Sequence, residues 1–191
     1  MNQQEFRRRR TALMRMMGGG SIVIVPSASE KIRNRDVTYP FRQDSDFLYL
    51  TGFDEPDAVA VLIPGRPAGD YILFCRERDP EREIWNGYRA GPEGAVRDYG
   101  AADAFPIGDL DEILPGLIEP CDSVYYTMGV SPEFDRRMAE WINRLRANGR
   151  AGARTPEEFV SLEHLLHDLR LYKSRAEIAA MKQAARISVE A

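Results

Sequence analysis

Apolar residues follow a helical period at the start of the chain and then gather into short β-branched runs. Phe6, Leu13 and Met17 lie at roughly helical spacing within residues 3–17, and the glycines at 18–20 end that pattern. We therefore expect one helix followed by a loop. The apolar runs predict three buried strands and one further candidate strand, at residues 21–25, 59–63, 71–75 and 124–128.

The segment that joins the second and third apolar runs has the composition of a turn. Residues 64–70 read Pro-Gly-Arg-Pro-Ala-Gly-Asp, which favours an antiparallel hairpin with a longer loop. Helical patterns follow at 109–117 and at 132–147, where Ser131 is a suitable N-cap and Pro132 takes the first helical position. Together these elements predict an α/β fold with a mixed β-sheet flanked by helices.

Two capping boxes in the last third of the chain predict two more helix starts. Thr155 with Glu158, and Ser174 with Glu177, each place a hydroxyl three residues before a glutamate. The second helix carries an apolar stripe at spacings of three and four: Ile178, Met181, Ala185 and Val189. No Gly, Asn or Pro ends this helix, so we expect a chain cut inside a longer protein. A frayed helix docked on the same domain would give the same pattern.

Composition narrows the class of protein. The chain has 191 residues, of which 43% are hydrophobic and 29% charged, as expected for one globular domain with a core. A net charge of −4 disfavours nucleic acid or an anionic membrane as a partner. No apolar stretch approaches the roughly 20 residues that cross a bilayer, and the polar, arginine-rich N-terminal residues lack the apolar region of a signal peptide, so we expect a cytoplasmic protein. The basic run at 7–10 is interpreted as the solvated face of the first helix.

The candidate nucleophiles and metal ligands are few. Cys75 lies in an apolar run and Cys121 follows a proline, so both are predicted to be buried free thiols. His164 and His167 are three residues apart and share a helical face, yet no third ligand converges on them. Neither a Gly-x-Ser-x-Gly elbow nor a phosphate-binding loop is present. The sequence therefore predicts neither a catalytic residue nor a metal site in this chain.

Two clusters of aromatic and charged residues are the candidates for an interface or a substrate cleft. The first, residues 39–53, contains Arg42 and Asp46, and we favour a structural use of its rings against the sheet over a ligand site. The second, residues 76–91, carries Trp85, Tyr88 and Arg89 in a stretch rich in Gly and Pro. Large aromatic side chains are costly to leave in water, so a loop that bears them either covers the core or contacts a partner.

These clusters resemble the N-terminal domain of bacterial aminopeptidase P, a Xaa-Pro aminopeptidase of the creatinase/prolidase-like, pita-bread metallopeptidase family. The residues that carry the resemblance are the run from Tyr39 to Phe53 with Glu55-Pro56, then Arg78-Asp79-Pro80, then Glu83-Ile84-Trp85 with Gly87 and Arg89. The stretch Arg170-Leu171-Tyr172-Lys173-Ser174, with Glu177-Ile178 and Ala184-Ala185, is similar to the family's junction between its two domains.

The resemblance implies an N-terminal domain of ribonuclease H-like topology over residues 1–172. Residues 173–191 would then be the first helix of a truncated pita-bread catalytic domain. In the family that domain binds two divalent metals, usually manganese, through two aspartates, a histidine and two glutamates, all beyond residue 191. The implied partners are the chain's own catalytic domain, further copies in a homo-oligomer, and a peptide with proline at its second position. The domain itself would be non-catalytic, shaping the substrate cleft and supporting assembly.

Two other functions compete with this one. A free-standing interaction or regulatory domain could use the same fold without any peptidase partner. A nuclease of ribonuclease H-like topology would need carboxylates gathered around a metal at strand ends. Asp57 and Asp70 flank strands, but no convincing group of four emerges from the sequence. A reading frame that continues past residue 191 would separate the first alternative from the aminopeptidase hypothesis.

Overall fold

The computed structural model describes residues 2–149 and 152–190. In this part of the chain the strands are β1 (Ser21–Pro26), β2 (Ile32–Asn34), β3 (Val37–Thr38), β4 (Val59–Leu62), β5 (Tyr71–Cys75), β6 (Asp103–Pro106), β7 (Ser123–Tyr125) and β8 (Glu158–Val160). The α-helices are α1 (Gln3–Met17), α2 (Ser45–Thr51), α3 (Pro80–Asn86), α4 (Gly91–Tyr99), α5 (Leu110–Ile118), α6 (Pro132–Ala147), α7 (Glu163–Leu171) and α8 (Arg175–Glu190).

Six of the strands form one mixed sheet in the order β6-β5-β4-β1-β7-β8. Strand β4 runs antiparallel to both of its neighbours, whereas the other neighbouring pairs are parallel. The predicted α/β class and the β4–β5 hairpin are confirmed. The strand predicted at residues 124–128 is β7, which is shorter than predicted and ends at Tyr125. The chain turns at Gly129 (φ 94°) before it enters α6.

The central strands β1, β4 and β5 are buried on both faces of the sheet, which explains why they are continuous apolar runs. Along β1, Ile22 and Ile24 face one core while Val23 and Val25 face the other. Helices α1, α2, α4 and α7 cover the Val23 face, and α5 with α6 cover the Ile22 face. Cys75 lies in the core on the Val23 face and Cys121 in the core on the Ile22 face, and both are free and buried as predicted.

The prediction of a helix that begins at Thr155 is wrong. Residues 158–160 form strand β8, which pairs in parallel with β7, and α7 begins only at Glu163. The backbone N–H groups of Glu157 and Glu158 both donate to the carbonyl of Asp122, at 2.9 and 3.2 Å. Pairing with the sheet edge therefore outweighs the local capping signal.

The interpretation of residues 7–10 as a solvated face is wrong for two of the four arginines. Arg7 and Arg8 are exposed, but Arg9 and Arg10 are buried where α1 crosses α2. The Arg10 guanidinium donates to the carbonyl of Leu50 at 2.9 Å and lies 4.0 Å from the centre of the Tyr71 ring. A buried arginine is stable only when its N–H groups find such partners.

Helix α8 begins as predicted and leaves its apolar stripe uncovered. The Ser174 N–H donates to Glu177 at 2.7 Å, and the Glu177 N–H donates to the Ser174 hydroxyl at 3.2 Å, which completes the capping box. Every residue of α8 that the structure describes is at least partly exposed, including Met181 and Val189 at 58% and 87%. In the described part of the chain, no helix is long and apolar enough to cross a membrane.

Candidate interface site around Trp85

The most exposed aromatic side chain in the described residues lies on a short helix that projects from the end of β5. Residues 77–91, called here the Trp85 arm, contain α3 and connect β5 to α4. The carboxylate of Asp79 caps α3 by accepting the N–H of Arg82 at 3.1 Å, and Pro80 occupies the first turn. Gly87 ends the helix with a φ of 83°. The segment predicted as a loop is therefore partly helical.

The arm presents an apolar surface that its own domain does not cover. Ile84, Trp85 and Tyr88 are 79%, 87% and 60% exposed. Exposed aromatic and aliphatic groups in one cluster are typical of sites that bind another protein segment or a ligand. Trp85 and Tyr88 therefore do not cover the core of this domain. That they contact a partner or line a substrate cleft stays a prediction.

Arg89 does not project with them. It is 8% exposed, and its Nη1 donates to the carbonyl of Glu77 at 3.5 Å, at the opposite end of the arm. We expected Arg89 to face a partner together with Trp85. Its position between the two ends of the arm instead gives it a structural role at the base.

Ion pairs and hydrogen bonds hold the arm in one shape. Arg78 donates to both oxygens of Glu83, at 3.1 and 2.9 Å, and its guanidinium carbon lies 4.9 Å from the Tyr88 ring centre. Hydrogen bonding from Arg78 holds the pKa of Glu83 below its usual range. Bidentate arginine–carboxylate pairs fix geometry as well as charge. The indole of Trp85 is thus presented on an ordered element.

The base of the arm is attached to the sheet by Glu55. Its Oε1 accepts the backbone N–H of Ala90 at 2.7 Å, and its Oε2 lies 3.8 Å from a guanidinium nitrogen of Arg76. Glu55 precedes β4 and Arg76 follows β5, so this contact joins two strand ends to the arm. The sequence offered Glu55 only as part of a family motif, because a carboxylate that accepts a distant backbone N–H leaves no local pattern.

Gln43 organises the neighbouring segment, residues 39–55. Its side-chain oxygen accepts the N–H groups of Ala28 and Asp44, at 2.9 and 2.8 Å. Its amide nitrogen donates to the carbonyls of Phe53 and Glu55, at 3.2 and 2.7 Å. Gln43 is 5% exposed, and sequence reasoning missed it although it ties together four backbone positions. The favoured structural use of this segment is supported by these contacts.

Arg42 and Asp46, the two site candidates of this segment, lie in different surroundings. Arg42 is exposed on the wall of a cleft of about 810 Å³ at the C-terminal end of β1, between Lys31 and the first turn of α6. Asp46 lies on α2 and forms an ion pair with Arg170 of α7. Strands β1 and β5 run in the same direction, because each is antiparallel to β4. The cleft and the Trp85 arm therefore both lie at the C-terminal ends of these two strands.

Neither histidine belongs to a metal-binding group. His164 and His167 are both exposed on α7, and His164 Nδ1 forms a 2.6 Å hydrogen bond with the carbonyl of Ser161. Across residues 2–149 and 152–190, no group of three or more His, Cys, Asp or Glu side chains could hold a metal ion. Burial raises the pKa of the Cys75 thiol to about 12, which leaves it protonated and unreactive at neutral pH.

Comparison with known proteins defines the class of this domain. The family model for the aminopeptidase P N-terminal domain matches residues 6–125. The chain belongs to this family, which confirms the resemblance drawn from residues 39–56 and 78–89.

The relatives extend the match over the whole chain. Xaa-Pro aminopeptidase of Escherichia coli is 36% identical over 192 residues, covering 100% of this chain and 44% of that protein. The structure of Pseudomonas aeruginosa aminopeptidase PepP is 61% identical, with a TM-score of 0.96 over 98% of this chain and 42% of the other. Zinc-substituted Escherichia coli aminopeptidase P in complex with product has a TM-score of 0.93 at 36% identity, over 98% of this chain and 43% of the other. The chain thus spans less than half the length of the relatives it matches.

Proposed function

We propose that this chain is the non-catalytic N-terminal domain of a cytoplasmic, metal-dependent Xaa-Pro aminopeptidase, which releases the N-terminal residue that precedes a proline. The family match and the alignment with less than half of longer Xaa-Pro aminopeptidases support this assignment. In this proposal residues 1–172 form the domain, and 173–191 begin the catalytic domain. The extended backbone of Tyr172 (φ −98°, ψ 113°), which separates α7 from α8, fits that boundary.

Peptide hydrolysis belongs to the catalytic domain in this proposal. Two divalent metals held there, which we expect to be manganese, would supply Lewis-acid activation of the scissile carbonyl. The zinc-substituted relative with bound product supports a metal requirement. The described residues of this chain contain no fitting group of ligands, so we assign it no step of the reaction.

The Trp85 arm is the part of this chain that we assign to the substrate cleft. We propose that it reaches a catalytic domain, of its own chain or of a neighbouring subunit in a homo-oligomer. The carrying observation is an indole that is 87% exposed on a helix braced by Arg78 and Glu83. A rigid aromatic group loses little conformational entropy when it is covered, which suits it to a cleft wall. Arg42, on the cleft beside β1, is a second candidate for contact with a partner.

The test begins with the reading frame beyond residue 191 and continues with the longer protein that it encodes. Release of the first residue from a Xaa-Pro peptide is measured for the parent, for Trp85→Ala and for Phe159→Ala. Phe159 is an exposed control on β8, at the edge strand of the sheet. We expect kcat/KM to fall about tenfold or more for Trp85→Ala, corresponding to about 1.4 kcal/mol of lost transition-state stabilisation, and to stay unchanged for Phe159→Ala.

Three outcomes would contradict parts of this proposal. Equal kcat/KM values for the parent and Trp85→Ala would remove the arm from the substrate cleft. A longer protein without Xaa-Pro peptidase activity would refute the enzyme assignment. A reading frame that stops at residue 191 would favour a free-standing interaction domain.

A further inference from the structure

The start of α8 is fixed to the domain although the rest of the helix is exposed. Segments that join two domains are commonly flexible, and an exposed helix would give no reason to expect otherwise. Here the first turn of α8 is in contact with α1 through the ion pair between Glu177 and Arg9. Specific side chains therefore connect the first turn of α8 to the domain.

Arg9 is the central residue of this contact. It is 3% exposed, and its Nη1 donates to the carbonyl of Tyr49 at 2.9 Å. Its guanidinium carbon lies 4.1 Å from the centre of the Tyr49 ring, and its Nη2 lies 3.2 Å from Glu177 Oε1. Glu5, one turn earlier on α1, approaches Arg9 Nε at 3.7 Å. Arg9 thus joins α1, α2 and α8.

Glu177 uses its two oxygens for two different tasks. Oε2 accepts the N–H of Ser174 and so closes the capping box that starts α8. Oε1 pairs with Arg9. Because the Glu177 side chain is only 17% exposed, water screens this pair less than it screens an ion pair on the open surface. One carboxylate therefore both begins the helix and sets its position on the domain.

The end of helix α7 is held by α2, the helix that Arg9 also contacts. The Tyr49 hydroxyl donates to the carbonyl of Leu169 at 3.2 Å, and Arg170 pairs with Asp46. Tyr49 and Asp46 both lie on α2, so α2 fixes the end of α7 as Arg9 fixes the start of α8. The chain has little freedom to turn between the two helices when both sides are held.

We propose that Arg9 is a positioning residue that, through Glu177, sets the direction in which α8 leaves the domain. Its consequence for activity rests on the proposed function, since the placement of the Trp85 arm against a following catalytic domain would depend on that direction. The structural part of the proposal, which is the effect of the Arg9–Glu177 contact on α8, does not depend on the proposed function.

Two variants and one control isolate the contact. Glu177→Gln keeps an acceptor for the Ser174 N–H, because glutamine also serves in a capping box, but it removes the charge opposite Arg9. Arg9→Lys keeps the charge but loses the planar fork that reaches Tyr49 and Glu177 together. Arg8→Gln is the matched control, because Arg8 is an exposed arginine that pairs with the same Glu5, at 2.7 Å.

Two measurements on the 191-residue chain report on α8. Hydrogen exchange is followed at the amides of residues 178–181. Spin labels are attached at Glu140→Cys and Lys182→Cys, because both positions are exposed and the native thiols are buried. The distance between the two labels is measured by pulsed electron paramagnetic resonance. We expect exchange about tenfold faster in Glu177→Gln and Arg9→Lys, the factor that corresponds to about 1.4 kcal/mol for one lost charge-assisted hydrogen bond. The distance distribution should broaden in both variants and stay narrow in Arg8→Gln.

A folded Glu177→Gln variant with parental exchange and a parental distance distribution would overturn the proposal, whatever the behaviour of Arg9→Lys. Equal changes in the Arg8→Gln control would overturn it as well, because the effect would then follow from the charge of α1 in general. Neither readout needs peptidase activity. Failure of the aminopeptidase assignment would therefore leave these results intact, and the two failures are distinguishable.

Discussion

The carboxylate of Glu55 accepts a hydrogen bond from the backbone N–H of Ala90 at 2.7 Å, although the two residues are 35 positions apart. Ala90 is 2% exposed, so water cannot replace this acceptor. The contact joins the segment before β4 to the end of the Trp85 arm. The Glu55 side chain thereby attaches the base of the arm to the sheet.

This attachment predicts a measurable stability effect. Glu55→Ala should lower the free energy of unfolding by about 1–3 kcal/mol, because it leaves the buried N–H of Ala90 without an acceptor. Glu55→Gln keeps an acceptor oxygen and should cost less. The values are compared in urea unfolding with Glu140→Ala, an exposed glutamate on α6 that we expect to change stability by less than about 0.5 kcal/mol. A Glu55→Ala variant as stable as this control would contradict the role of Glu55.

Substitution of the two tryptophans should change the free energy of unfolding by very different amounts. Trp141 is 1% exposed and donates its indole N–H to Asp111 at 2.8 Å, whereas Trp85 is 87% exposed. Trp141→Ala should lower the unfolding free energy by about 3–5 kcal/mol, the usual cost of removing a buried aromatic ring. Trp85→Ala should change it by less than about 0.5 kcal/mol.

Fluorescence gives an independent test of the same difference. Trp85→Phe leaves only the buried indole, so the emission should shift to the blue and acrylamide quenching should weaken. Trp141→Phe should shift the emission to the red. Strong protection of Trp85 from acrylamide in the parent chain would contradict its exposure.

The buried thiol of Cys75 predicts a loss of stability at alkaline pH. Burial raises its pKa from 9.0 to about 12, so the folded chain keeps a proton that the unfolded chain releases. The unfolded state therefore binds fewer protons above pH 9, and the free energy of unfolding falls as the pH rises from about 9 to 12. Cys75→Ala should show a smaller fall than the parent in unfolding curves recorded across this range. Parallel curves for the two proteins would show that Cys75 makes no contribution.

Calorimetry with manganese tests the prediction that this chain holds no metal site. Two histidines three residues apart on an exposed helix face offer too few ligands for tight binding. We expect no binding tighter than about micromolar, which corresponds to roughly 8 kcal/mol. We also expect no release of the first residue from a short Xaa-Pro peptide. Tight binding that His164→Ala or His167→Ala abolishes would contradict this prediction.

The centre of the sheet could be predicted from the sequence because strands β1, β4 and β5 are buried on both sides. A run such as Ile22 to Val25 has no polar position, and such runs are visible without any long-range information. Strand β8 could not be found in this way. Its residues Glu158 and Phe159 are exposed, and its existence depends on pairing with β7, which a local pattern does not contain.

Sequence reasoning could single out the Trp85 arm, since aromatic residues in a Gly-rich segment are visible in the sequence, and its use as an interface stays a prediction. The roles of individual charged residues could not be predicted in this way. Arg9 and Arg10 lie between Phe6 and Leu13 on the stripe that faces the domain, a position that indicates burial. Their charge suggested solvent, and only the carbonyls of Tyr49 and Leu50 explain why burial is tolerated. Partners 40 residues away in sequence cannot be read from local patterns.

Helix α8 has 16 residues and, at 1.5 Å per residue, a length of about 24 Å. A rigid rod of this length that is held at one end acts as a lever arm. A rotation of about 10° at the turn that bears Glu177 would move the far end, which is about 20 Å away, by roughly 3.5 Å, about the longest distance that a hydrogen bond spans. Small changes in the contact between Arg9 and Glu177 would thus be converted into displacements of atomic size at the far end of α8.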